Sequence, residues 1–170
     1  MPNIRRLLIE NVQPPRGRQG WHGGPTSSGA LRGVDEVQAR WRPGANRKSI
    51  WELTLHIAYW TYAVRRKLRA GRDSAAPSRF GRSPANWPRL PEPADAPAWA
   101  ADVALLRLER ERLVEASASV PVAALDDRPP GSRRWTYGEL IIGIAQHDAY
   151  HTGQLQLVKR LWQERRTTRA

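Results

Sequence analysis

The stretch Ser49-Ile-Trp-Glu52-Leu-Thr-Leu-His56-Ile-Ala-Tyr-Trp60-Thr-Tyr-Ala-Val64-Arg-Arg-Lys-Leu68 decides the fold. Ser49 and Glu52 form the S-x-x-E capping pattern, in which each side chain satisfies an orphan N–H of the other residue. Leu53, His56, Ile57, Trp60, Val64 and Leu68 recur at helical spacing, so the pattern predicts a helix over 49–70 with that stripe facing a core. Arg65, Arg66, Lys67 and Arg69 suit the negative end of the helix dipole, and Gly71 supplies a stop.

Two further long helices are predicted. In residues 98–119, Val103, Leu106, Arg110, Leu113 and Val114 track one side, with Leu105 and Leu108 beside them. In residues 137–165, Thr136 and Glu139 repeat the capping pattern, and Leu140, Ile144, Leu155, Val158, Leu161 and Trp162 form the stripe. Ile4, Leu7, Leu8 and Val12 make a shorter amphipathic segment, interrupted by Pro14, Pro15, Gly17 and Gly20. Pro25 to Val34 is read as another helix, with Pro25 at an early position, and Trp41-Arg42-Pro43-Gly44 as a loop. Residues 72–97 contain six prolines and form a long crossover, pinned to the core by Trp87. Residues 121–134 are rich in turn formers. No segment alternates as a strand does. The expected fold class is all-α, an antiparallel four-helix bundle with a long crossover loop between its second and third helices. A single domain spans residues 1–170, with 1–20 weakly patterned.

Composition narrows the function. The chain has 170 residues, 40% of them hydrophobic and 26% charged, an ordinary globular balance for one domain. It has no Cys, which excludes disulfides, a protein thiolate nucleophile and Cys-based zinc sites. No apolar run approaches the ~20 residues that span a bilayer, and no signal peptide is visible. A soluble, cytoplasmic protein with no membrane partner is expected. The net charge is +12, and of the 28 basic residues only Lys48, Lys67 and Lys159 are lysines. The excess is heaviest before residue 50. No nucleic-acid motif accompanies it, so it reads as a compositionally biased, solvated surface; phosphate binding is the alternative.

Three histidines carry the chemistry. His147 and His151 lie four apart on the last helix, about 40° apart around its axis, in line with Leu140, Ile144, Leu155 and Val158. The pair therefore points into the core. His56 sits mid-stripe on the first long helix, between Leu53 and Trp60. Imidazoles from two such helices can converge on one divalent ion at about 2.0–2.1 Å, with zinc or nickel the suitable metals. Three neutral ligands leave a position open for water or substrate. His22 stands in a Gly-rich loop, as a solvated residue or one serving the site.

These residues resemble a known family. Ser49-Ile-Trp-Glu-Leu-Thr-Leu-His56 with Ile-Ala-Tyr-Trp60, and His147-Asp-Ala-Tyr-His151-Thr-Gly-Gln154, are similar to the DinB superfamily. Trp21-His22-Gly23-Gly24-Pro25 and Arg82-Ser-Pro-Ala-Asn-Trp87-Pro88 fit one branch of it. The resemblance runs from about Trp21 to Trp162. It implies a four-helix bundle, a divalent metal on His56, His147 and His151, and a homodimer. Relatives include thiol-dependent S-transferases, a mycothiol-dependent isomerase and metal-dependent hydrolases.

The neighbours supply candidate catalytic residues: Glu52, one turn before His56; Gln154, on the face of His151; and His22. Glu52 is also explained by its capping role, and Gln154 could bond a ligand imidazole, a substrate or a neighbouring helix. Asp148 points off the His147 direction and reads as a solvated or interhelical carboxylate. Tyr150 is expected in the core, and Tyr59 and Trp60 in a pocket wall. Trp41, Trp99 and Trp162 are expected in the core, with a dimer interface as their other role. The expected function is a metal-dependent enzyme, an S-transferase or a hydrolase, acting on a small molecule. Any thiol comes from an exogenous low-molecular-weight compound. The alternative is a non-catalytic metal-binding protein, or one that docks to nucleic acid through its basic surface.

Overall fold

A computed structural model describes residues 3–15, 23–70 and 79–167, with side chains to 165. Its elements are α1 (Ile4–Val12), α2 (Ser27–Ala30), α3 (Glu36–Arg40), α4 (Ile50–Leu68), α5 (Ala96–Ala118), a short 3-10 turn (Val122–Ala124) and α6 (Tyr137–Thr167). Among the described residues there is no strand, and no helix is long and apolar enough to cross a membrane.

Caps set the helix starts. Ser49 Oγ accepts from Glu52 N at 3.2 Å while Ser49 N donates to Glu52 Oε2 at 3.0 Å, and α4 begins there. Thr136 and Glu139 make the same reciprocal pair before α6. Helix α5 starts at Ala96, two residues earlier than its apolar stripe suggests. Asp95 caps it, and Pro97 falls in the first turn, where its missing N–H costs nothing. The segment from Pro25 to Val34 is helical only over α2. Thr26 is the cap, Pro25 lies outside it, and Gly33 adopts a left-handed φ of 72° that ends the run. Asp35 then caps α3, a helix too short to leave a periodic signal. The Gly71 stop and His22 lie outside the described residues.

Long-range contacts fix the helix directions. Trp51 and Arg65 of α4 meet Asp102 and Glu109 of α5 in the same order, so these two helices run in the same direction. The long connection after Arg69 carries the chain back to make this possible, and this pair of neighbours is not antiparallel. Helix α6 runs opposite to α4. Leu155 and Val158 share a core cluster with Ile50 and Trp51, whereas Leu140 and Ile144 share one with Val64 and Leu68. Helix α1 adds Leu8 and Val12 to the second cluster.

The stripe on α5 differs from the apolar pattern. Asp102, Glu109 and Arg110 are buried beside Leu106 and Leu113, while Leu108 is 41% exposed. Each buried charge is paired. Asp102 accepts from the Trp51 indole at 2.8 Å and from Arg82 at 2.9 Å, and Glu109 accepts from Arg65 at 2.8 Å. Partnered charges can take core positions that lone ones cannot, so polarity alone misplaces this face. Trp99 is buried and donates to Val34 O; Trp41 and Trp162 are half-buried against each other.

Candidate metal centre

Helix α4 presents His56 and helix α6 presents His147 and His151 to a common point. Their candidate ligand nitrogens all lie within 4.8 Å of one another. The Nε2 atoms of His56 and His147 are 3.2 Å apart. Two nitrogens on one tetrahedral zinc stand about 3.3 Å apart, a spacing this pair already has. His56 is 5% exposed and His151 7%, whereas the His147 side chain is 25% exposed. The site therefore has a closed floor and an accessible side.

The outer partners orient the rings. His56 Nδ1 donates to the carbonyl of Asn86 at 2.7 Å, which puts its proton there and leaves Nε2 with a free lone pair. His151 Nδ1 lies 2.8 Å from Gln154 Oε1 and is oriented in the same way. Such partners fix the tautomer of a metal-ligating imidazole and raise its basicity. Burial, the largest cause, pushes the His56 pKa down to about 4; the Asn86 bond opposes it, and His151, His147 and Lys48 reinforce it. Burial also lowers His151, with Gln154 opposing. Both rings are neutral at pH 7, the form a metal requires.

Asn86 and Trp87 come from the crossover segment. Asn86 has a left-handed φ of 69°, a conformation that Asn tolerates better than most residues. Its backbone oxygen meets His56, while its side-chain oxygen accepts from the Trp60 indole at 2.9 Å. Trp87 stacks on the His56 ring, with Lys48 over its indole at 4.7 Å. Asn86 has no helical spacing to mark it. Its local signal is an Asn beside a Trp within a proline-rich loop.

The other candidates fall in distinct places. Glu52 is not directed at the cluster by any contact. Its oxygens accept from Arg42 at 2.8 and 2.9 Å, from Lys48 at 3.1 Å and from Ser49 N. Burial raises its pKa, but the Ser49, Lys48 and Arg42 interactions outweigh that and hold it below the usual range. Gln154 reaches the His151 imidazole. Asp148 is buried, pairing with Arg110 of α5. Tyr150 is 66% exposed rather than in the core, because its position on the helix lies off the buried stripe; its ring edge meets His151. Tyr59 packs edge-on to Trp60 and Phe80.

A cleft of about 650 Å³ opens from the three histidines between α4 and α6. Trp60, Trp87, Trp135, Val64, Leu140 and Ile144 supply most of its apolar wall, and Lys67 and Glu139 lie at its far end. An apolar cleft with a few convergent polar groups is the usual form of a small-molecule site.

The described geometry agrees with the outcome of comparison with known proteins. A family model described as the DinB superfamily matches residues 26–155, a span that contains all three histidines and the Asn86–Trp87 loop. Neither the curated proteins nor the solved structures give a match. With a match covering most of its length, the chain belongs to the DinB superfamily.

Proposed function

We propose that this protein is a metal-dependent enzyme that acts on a small molecule held in the α4–α6 cleft. The observation that carries the reading is the three-histidine cluster, whose imidazoles line that cleft. A divalent ion such as zinc or nickel, when bound, supplies Lewis acidity and makes a thiol or a water nucleophilic at neutral pH. His56, His147 and His151 hold it; Asn86 and Gln154 keep two of the rings in the ligating tautomer. The Trp60, Trp87 and Trp135 walls favour a substrate with an apolar or aromatic body. S-transfer from an exogenous low-molecular-weight thiol is the reaction type we favour, with hydrolysis second. The chain contributes no thiol of its own.

We further propose that α1, α4, α5 and α6 make a four-helix bundle with a crossover before α5, and that the protein is a cytoplasmic homodimer. Exposed Ile4 and Leu7 on α1 and Ile142 and Leu157 on α6 support an interhelical dimer face. Light scattering over micromolar concentrations should give twice the chain mass.

The test of function is metal content followed by a thiol-transfer screen. One divalent ion per chain is expected, and His56→Ala should lose it, because two imidazoles on one helix leave the site incomplete. Undiminished metal in His56→Ala removes the three-ligand reading. Binding to DNA that falls steeply with salt, without metal-dependent turnover, would support the basic-surface alternative instead.

A further inference from the structure

Two of the three imidazoles have a partner on Nδ1, and the third does not. His147 Nδ1 is buried and makes no hydrogen bond. Asp148 Oδ1 is likewise buried and makes none. These two orphaned atoms lie 3.7 Å apart. The other oxygen of Asp148 is held by Arg110 Nη1, and Arg110 also donates to Val12 O and Ser27 Oγ. The carboxylate is thus anchored on one side and unsatisfied on the other.

An unsatisfied buried polar atom is costly, and two complementary ones side by side have a common remedy. A movement of somewhat under an ångström brings the pair to hydrogen-bond distance. We propose that Asp148 is the positioning residue of His147. Its Oδ1 accepts the Nδ1 proton and turns the Nε2 lone pair toward His56 and His151. Arg110 balances the charge of the carboxylate through its other oxygen and links it to α1 and α2, but the orientation of Oδ1 toward His147 does not depend on it. The inference rests on the three-histidine metal reading proposed above, but it concerns the tautomer of His147; without metal, an Nδ1–H toward Asp148 competes with an Nε2–H bond to His56 Nε2, 3.2 Å away.

Asp148→Asn is the informative change because it keeps shape and removes one acceptor. Arg110 offers only donors, so the amide oxygen turns toward it. The amide NH2 then faces His147 Nδ1, which must become an acceptor. The proton moves to Nε2, the atom needed for the metal.

The experiment uses the full chain stripped of metal and titrated with zinc against a chromophoric chelator. Asp148→Asn should bind zinc roughly 10–100-fold more weakly than the parent, the usual effect of removing an outer-shell partner. Arg110→Met breaks the ion pair but leaves the carboxylate to His147, so its zinc affinity should stay within severalfold of the parent even if it melts lower. Nitrogen-15 NMR of histidine-labelled, metal-free protein should show His147 protonated on Nδ1 in the parent and on Nε2 in Asp148→Asn. Equal zinc affinity in Asp148→Asn, or a loss that Arg110→Met matches, overturns the proposal, as does an unchanged His147 tautomer. A parent chain that takes up no zinc overturns the metal reading instead, and the tautomer measurement then decides the role of Asp148 alone.

Discussion

The indole of Trp87 lies flat on the imidazole of His56, with ring centroids 3.8 Å apart and planes within 10°. The two residues are 31 positions apart in the chain. One belongs to the first long helix and the other to the proline-rich crossover. The stack, together with the Asn86 carbonyl on Nδ1, means that the crossover holds the one imidazole of the cluster that α4 supplies.

Loss of that stack should loosen His56 without removing it. Trp87→Ala forfeits an aromatic pair of about 0.5–1.5 kcal/mol, besides buried area. For a chain of this size that corresponds to a melting temperature lower by roughly 2–6 °C. Zinc affinity should fall, though less than in His56→Ala, and Trp87→Phe should recover most of both. Calorimetry and zinc titration in which Trp87→Ala equals the parent would show that the stack is incidental.

Stability of the metal-free chain should depend on pH in a defined window. His56 titrates near 4 in the folded state and near 6.5 when unfolded, and His151 is shifted in the same direction. Above pH 6.5 both states are neutral and the contribution is complete. As pH falls from 6.5 toward 4 the unfolded chain takes up protons first, so stability declines, by on the order of 3 kcal/mol for His56. Zinc adds about 2.7 kcal/mol at a hundredfold excess over its dissociation constant, and that increment should shrink at pH 5 as protons compete. Urea melts at pH 7.5, 6 and 5, with and without zinc, check both slopes. A flat profile for the metal-free chain contradicts the buried, neutral rings.

The Arg65–Glu109 pair should behave as a buried ion pair does. Both side chains are 4% exposed, and Arg65 Nη2 has no partner among the described residues. Glu109→Leu strands the guanidinium in the core and should cost about 3–5 kcal/mol. The double variant Arg65→Met, Glu109→Leu should recover most of that loss, because an apolar pair avoids desolvating either charge. Double-mutant denaturation curves measure the coupling, and additive losses would show that the pair is not a unit.

Glu52→Gln separates capping from chemistry. The amide oxygen can still close the capping box, while the ion pairs with Arg42 and Lys48 are lost. A drop of about 1 kcal/mol in stability, with metal content and turnover retained, is the expected outcome. A collapse of turnover at unchanged stability would make Glu52 the base instead.

The histidine spacing alone makes the centre legible. His147 and His151 at i and i+4, and His56 within an apolar stripe, need only the helical period. Gln154 is legible for the same reason, being three residues from His151. Asn86 is not, because its role depends on a left-handed turn in a loop and on where that loop lands. Tyr150 reads as a core residue yet is exposed, because being next to His151 in sequence is not being on its face. The α5 stripe misleads at Leu108, Asp102 and Glu109, since a buried charge depends on partners 20 to 51 residues away.

What the sequence by itself determined is whatever repeats within a turn or two of helix: the long helices, their caps, the apolar faces and the inward histidines. Those features depend on interactions over three or four residues, which the order of residues states directly. The tertiary structure alone decided that α4 and α5 run the same way, that Asn86 and Trp87 close over His56, and that Arg110 grips Asp148 beside an unpartnered His147 Nδ1. Each of these joins atoms from elements brought together by burial of the whole core, and hydrophobic burial is non-directional, so no local pattern encodes which partner it brings. The identity of the three imidazoles was written in the chain; how each ring is held was settled by packing.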